Sequence, residues 1–206
     1  MPAWDGINEY YLTDTSLCDD VLEYYFKNRD LQAPGKVLLE SGNEVVSDLK
    51  NTTDVTCLID DDFLNQNESI KKVLDFVWDK ATSDYFEKFV KNYSYYKIHD
   101  GFNIQQYVAP GGHYNTWHCE HNYNAAWTSR RIAAWMIYLN TLDDGQTEFF
   151  HQDKSVYPEK GKLLIWPSFY THIHRGSPVY KKDKFIMTGW IVCTENIITD
   201  GTHMFI

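Results

Sequence analysis

The second half of the chain is a succession of short strand-like runs separated by turns, and that pattern leaves few folds open. The runs are Phe102–Ala109, Thr116–His121, Arg131–Asn140, Thr147–Phe150, Lys162–Trp166, Tyr170–Arg175 and Lys184–Val192. Parallel strands need crossover connections, usually helices, and none intervene here. The pattern therefore predicts an antiparallel barrel or jelly roll. The first half has a different texture. Ser16 with Asp19 resembles a capping pair ahead of Leu17, Val21, Leu22, Tyr25 and Phe26, predicting a helix over about 16–28. Asn65 and Glu68 suit a second helix start. Ile70, Val73, Leu74, Val77, Ala81, Tyr85, Phe89 and Val90 then recur at helical spacing to about residue 91. Residues 30–66 are mixed, with a Pro-Gly turn at 34–35 and apolar runs at Val37 and Val55. The expected class is α+β, mainly β, in one domain spanning 1–206. Residues 1–100 form a helical and mixed support region, and 101–206 the β core.

Charge narrows the partners. The balance of 19 basic and 29 acidic residues gives −10, and no Lys/Arg-rich run stands out. A duplex nucleic acid partner is thus disfavoured, and an anionic ligand would need a local cation. No apolar run is long enough to span a bilayer, and the start lacks both a basic and an apolar leader segment. Cys18, Cys57, Cys119 and Cys193 have no paired spacing. The expectation is a reduced, cytoplasmic, soluble protein with no membrane partner.

The last strand-like run suggests where such a cation sits. Side chains two apart share a strand face, so Lys184, Ile186, Thr188 and Trp190 point one way. Phe185, Met187 and Ile191 point the other. A lysine and a threonine beside an isoleucine and a tryptophan make an odd core face and a sensible wall for a small anion. Upstream, His118-Cys119-Glu120 sets an imidazole and a carboxylate on one face of a strand. With one distant histidine, two imidazoles and a carboxylate can hold a metal on one side and leave positions open, as in non-haem Fe(II) oxygenases. His172 and His174 are both candidates, since the strand period puts them on one face. His121 alternates away from His118 and Glu120.

The blocks QQYVAPGGHYNTWHCEH, RRIAAWMIYLN, DDGQTEFF, GKLLIWPS and THIHRGSPVYKKDKFIMTGW resemble the prolyl-hydroxylase branch of the 2-oxoglutarate/Fe(II) dioxygenases. The resemblance runs from about 102 to 193, in family order. It implies a double-stranded β-helix, a jelly roll with supporting helices. In the collagen-type enzymes a basic residue ten positions after the distal histidine grips the far carboxylate of 2-oxoglutarate. Lys184 stands ten after His174, which selects His174 over His172. The implied metal ligands, and catalytic residues, are His118, Glu120 and His174. The implied cosubstrate pocket comprises Lys184, Tyr107, Tyr138, Thr147, Thr188 and Trp190, with Tyr138 hydrogen-bonding the same carboxylate as Lys184. Glu120 departs from the family's usual Asp, and its extra methylene must fold back or shift the backbone to reach the same position.

The implied cofactors are Fe(II), 2-oxoglutarate and O2, with ascorbate as a possible reductant. The implied reaction is hydroxylation of an unactivated C–H with succinate and CO2 as co-products, a prolyl residue of a peptide or protein being the lead substrate. The loops His113–Trp117 and Asn122–Arg130 flank the triad and could shape its cleft. A free amino acid or other small metabolite is the alternative, and a nucleobase a weaker one. Halogenation is disfavoured because the carboxylate ligand is kept. Zinc hydrolysis on the same three residues gives Lys184 no role. A jelly-roll binder that has lost catalysis would keep the fold and bind Fe(II) weakly or not at all.

Overall fold

The structure, a computed structural model, describes residues 5–38, 41–88, 95–121 and 127–194. In chain order, β1 (Asn8–Tyr11) leads into α1 (Ser16–Lys27). The short strands β2 (Ala33–Pro34), β3 (Lys36–Leu38), β4 (Glu44–Val46) and β5 (Lys50–Asn51) precede β6 (Thr53–Leu58). Helices α2 (Asp61–Gln66) and α3 (Glu68–Lys80) follow, then β7 (Tyr96–Tyr107), β8 (His113–His118) and β9 (Arg131–Tyr138). The chain continues through β10 (Thr147–Phe149), β11 (Lys154–Val156), β12 (Lys162–Pro167), β13 (His174–Gly176) and β14 (Lys184–Cys193).

One antiparallel sheet runs β1-β12-β9-β14-β7-β6-β2, a second runs β11-β10-β13-β8-β5, and β3 pairs with β4. The two large sheets form the jelly roll, and strand alternation decides which side chains lie between them. On β14, Phe185, Met187 and Ile191 join the cluster under α1 and α3, with Val21, Tyr25, Val73 and Val77. Ile186 and Trp190 join the cluster between the sheets, with Tyr107, Met136, Phe149 and Trp166. The helices therefore cover one face of the large sheet, and the other face is free to build a site.

Where β14 crosses β9, Gly189 lies opposite Trp135, which is fully buried. A Cβ on Gly189 would stand 2.6 Å from Trp135 Cζ2. Overpacking of this kind costs about 1–3 kcal/mol. Gly189→Ala is expected to lower the thermal midpoint by at least about 2 °C in a melting experiment. An unchanged midpoint would contradict this packing.

Several local expectations need correction. The first helix does not use a Ser16/Asp19 box: Asp14 Oδ1 accepts from the Ser16 amide at 3.0 Å and from Ser16 Oγ at 2.6 Å. The second helical region is two helices. Asp60 caps α2, accepting from the Phe63 amide at 2.7 Å, while the Asn67 side chain turns back to the Phe63 carbonyl instead of capping α3. Beyond Lys80 the winding loosens to a π turn at Ala81–Tyr85 and tightens to a 3-10 turn at Phe86–Lys88. Phe89 and Val90, expected in this helix, lie outside the described residues. Tyr170–Arg175 is not one strand but a 3-10 turn at Tyr170–His172 followed by β13. The first hundred residues do more than brace the core, because β1, β2 and β6 extend the large sheet and β5 extends the smaller one. All four cysteines are free. Among the described residues no helix is long and apolar enough to cross a membrane.

Candidate active site

β13 and β8 pair antiparallel with His174 directly opposite His118, which brings the two imidazoles together at a ring separation of 4.4 Å. A carbonyl can only accept a hydrogen bond, and this fixes both tautomers. His118 Nδ1 donates to the Thr116 carbonyl at 2.7 Å, and His174 Nδ1 to the His172 carbonyl at 2.9 Å. A neutral imidazole held this way presents its Nε2 lone pair to a metal. Glu120 is not on a shared strand face with His118, because β8 ends at His118. Instead the chain bends, and the Glu120 and His121 amides both donate to the Ser168 carbonyl, at 3.0 and 2.9 Å. That bend carries Glu120 Oε1 to 3.7 Å from His118 Nε2 and 3.4 Å from His174 Nε2.

The three donor atoms lie within 4.8 Å of one another, two imidazole nitrogens and a carboxylate oxygen on one side of a common point. This donor set fits a divalent iron with positions left open. Burial raises the Glu120 pKa, but the adjoining His118 and His174 rings and the Arg131 charge outweigh it and hold the carboxyl well below its usual range. Burial and the neighbouring His118 lower His174, which favours the neutral, metal-binding imidazole.

The rival histidine is excluded by its surroundings. His172 sits in the 3-10 turn, its Nε2 2.9 Å from the Asp5 carbonyl and its Nδ1 3.0 Å from Thr171 Oγ1. His121 is likewise turned away, stacked on Phe169 with Nδ1 against the Arg131 carbonyl.

A cavity of about 890 Å³ extends from this triad, with Lys184, Thr147, Tyr107, Ile186, Thr188 and Trp190 on its wall. The shared strand face on β14 is real, and its lysine is only 1% exposed. Lys184 Nζ donates to the Gly145 carbonyl at 2.8 Å and stands 3.9 Å from the centre of the Tyr107 ring. Among the described residues no carboxylate forms an ion pair with it. Burial pushes its pKa down to about 7, with Asp144 pulling weakly the other way. A buried lysine on a cavity wall suits a carboxylate ligand.

The deciding comparison is with the family model described as the 2OG-Fe(II) oxygenase superfamily, which matches residues 102–192. Residues 102–192 are thus similar to a 2OG-Fe(II) oxygenase domain. The matched segment holds His118, Glu120, His174 and Lys184, the residues a 2-oxoglutarate- and Fe(II)-dependent dioxygenase would use. No curated relative matches. Among solved structures, the viral collagen prolyl hydroxylase of Paramecium bursaria Chlorella virus-1, in its 2-oxoglutarate complex, is similar at a TM-score of 0.64 and 16% identity. That match covers 92% of this chain and 97% of the viral one. A Pseudomonas putida prolyl 4-hydroxylase is similar at 0.64 and 18% identity, over 91% and 92%. A Trichoplax adhaerens prolyl hydroxylase, solved with a hypoxia inducible factor peptide fragment, is similar at 0.67 and 18%, over 92% and 84%. At these identities the likenesses establish the fold.

Not every expected pocket residue reaches the wall. Tyr138 is fully buried behind Thr147, sharing its hydroxyl proton between Thr147 Oγ1 at 2.7 Å and the Val156 carbonyl at 3.1 Å. It supports Thr147 and, in this arrangement, offers a cosubstrate carboxylate no contact of its own. Thr188 donates to the Trp135 carbonyl at 2.8 Å. Of the two flanking loops, Tyr114, Thr116 and Trp117 line the cavity, as does Trp127, while 122–126 lie outside the described residues.

Many lining residues escaped sequence reasoning, among them Arg131, Lys50, Asp54 and Gln105. Arg131 opens β9 and reaches Glu120. Lys50 and Asp54, from the first hundred residues, form a buried ion pair at 2.6 Å on the far wall, with Gln105 Nε2 donating to the same carboxylate oxygen at 3.1 Å. An arginine beside a second arginine carries no periodic signal. Lys50 and Asp54 share a four-residue spacing that, off a helix, means nothing until β5 and β6 are placed.

Proposed function

We propose that this enzyme hydroxylates an unactivated C–H of a prolyl residue in a peptide or protein, releasing succinate and CO2. Fe(II) would be held by His118, Glu120 and His174. With iron, 2-oxoglutarate and O2 bound, the site supplies an oxidant strong enough to take hydrogen from such a bond. The chain's own residues position and exclude. Lys184 meets the far carboxylate of 2-oxoglutarate in a charge-assisted contact worth about 1.5–3 kcal/mol. Thr147 and Tyr107 close that end of the cavity, and Ile186 and Met136 keep it dry. The single observation that carries the reading is the convergence of two Nε2 atoms and one carboxylate oxygen on a cavity whose wall also carries the buried Lys184.

The prolyl and peptide part rests on the company the fold keeps, three prolyl hydroxylases similar over more than nine-tenths of this chain. It also rests on cavity space beyond the triad, walled by Leu31, Leu49, Trp117 and Trp127. The test is incubation with Fe(II), 2-oxoglutarate, ascorbate and a set of proline-containing peptides, with proline-free versions alongside. The expected result is one added oxygen on a prolyl residue, matched by an equal yield of succinate. Oxygen appearing only on a free amino acid or another small metabolite would overturn the peptide assignment.

A further inference from the structure

Resting on the reading that His118, Glu120 and His174 hold the metal, we propose that Arg131 and the Trp190 indole are positioning groups that lock Glu120 so that only Oε1 faces the metal. The other oxygen, Oε2, accepts from Trp190 Nε1 at 2.8 Å and from an Arg131 terminal nitrogen at 3.1 Å. The same Arg131 nitrogen lies 3.2 Å from the Glu120 carbonyl, so one guanidinium holds both ends of the residue.

The arginine is itself fixed. Its guanidinium carbon lies 3.5 Å from the centre of the Trp190 ring and 4.5 Å from that of Trp127. Arg131 is 5% exposed and opens β9, opposite Val192 of β14, so both parts of the lock stand on neighbouring strands of the rigid sheet. This arrangement answers the difficulty posed by a glutamate. One more methylene than aspartate adds a rotatable bond, and an unrestrained Glu can swing or present both oxygens. Two donors on Oε2 remove that freedom before the metal arrives, and preorganised donors of this kind sustain metal affinity. They also keep the second oxygen from filling a position that the cosubstrate needs.

The experiment is an anaerobic titration with Co(II), a redox-quiet stand-in for Fe(II), read by its visible d–d absorption. Arg131→Met and Trp190→Phe are each made with Glu120 and with Glu120→Ala, and thermal melts check that every variant is folded. With Glu120 present, each lock variant is expected to bind Co(II) about 10–100-fold more weakly. Arg131→Met should also show weaker d–d absorption as the second oxygen joins the metal. In the Glu120→Ala background neither change should weaken binding further, because nothing is left to lock. A merely structural role would lower affinity equally in both backgrounds, and that result overturns the proposal. Unchanged affinity and spectrum in both lock variants with Glu120 present also overturns it. Should Arg131→Met fail to fold, Trp190→Phe, which deletes one donor and keeps an aromatic ring, decides alone. The underlying triad has its own control: Glu120→Ala binding Co(II) as tightly as wild type would remove Glu120 from the metal site altogether.

Discussion

Lys184→Met is expected to make the protein more stable and unable to hold 2-oxoglutarate. Burial moves this lysine from the ordinary 10.5 to about 7, and at about 1.4 kcal/mol per pH unit that displacement costs roughly 5 kcal/mol of folding free energy. Losing the bond to the Gly145 carbonyl returns about 1–3 kcal/mol of that, so the net gain is about 2–4 kcal/mol, or roughly 5–10 °C in the melt. The sign in pH follows from proton counts. Between about 7 and 10.5 the unfolded chain holds a proton here that the folded chain lacks, so in wild type this group's contribution raises stability as pH rises through that window. Lys184→Met should lose that slope. Binding runs the other way. The protonated lysine is the form that attracts a carboxylate, so wild-type affinity for 2-oxoglutarate should fall as pH rises above about 7. Chemical and thermal melts across pH 6–9, with and without 2-oxoglutarate, check both halves. A variant less stable than wild type that still gains stability from 2-oxoglutarate would contradict the assigned role.

His174→Ala is expected to abolish turnover while leaving a folded protein. Its Nε2 is one of three donor atoms, and deleting a ligand should cost more than the 10–100-fold typical of losing an outer partner. Isothermal titration with Fe(II) under anaerobic conditions measures it, and near-UV circular dichroism reports the fold. The matching change at His172 should cost little metal affinity, since that ring is committed to Asp5 and Thr171. Equal loss at both positions would mean that the ring at 174 is structural.

The face of β14 was readable because strand alternation is a local rule, and Lys184, Ile186, Thr188 and Trp190 obey it within one run. The two sheets were readable as a class because their strands in the second half are separated by clear turns. Choosing between His172 and His174 needed the ten-residue relation to Lys184. The structure gives the physical reason: His172 has been drawn into a turn that binds the N-terminal segment. The Glu120 lock was not legible at all. It joins the bend after β8, the start of β9 and the middle of β14, and no window of sequence contains all three. Tyr138 illustrates the same limit from the other side. The resemblance puts it at the cosubstrate pocket and it does lie between the sheets, yet Thr147 stands in front of it and reaches the cavity instead. The short strands β2 to β5 were missed because two or three residues cannot display a period, and their contribution to the far wall was lost with them.

The most direct test of the central claim is anaerobic addition of Fe(II) and then 2-oxoglutarate, watched for the visible charge-transfer band of the iron–2-oxo acid chelate. The structure predicts a band in wild type, none in His174→Ala, and one that needs far more 2-oxoglutarate in Lys184→Met. No band from folded wild-type protein loaded with iron would contradict the assignment of this cavity to 2-oxoglutarate.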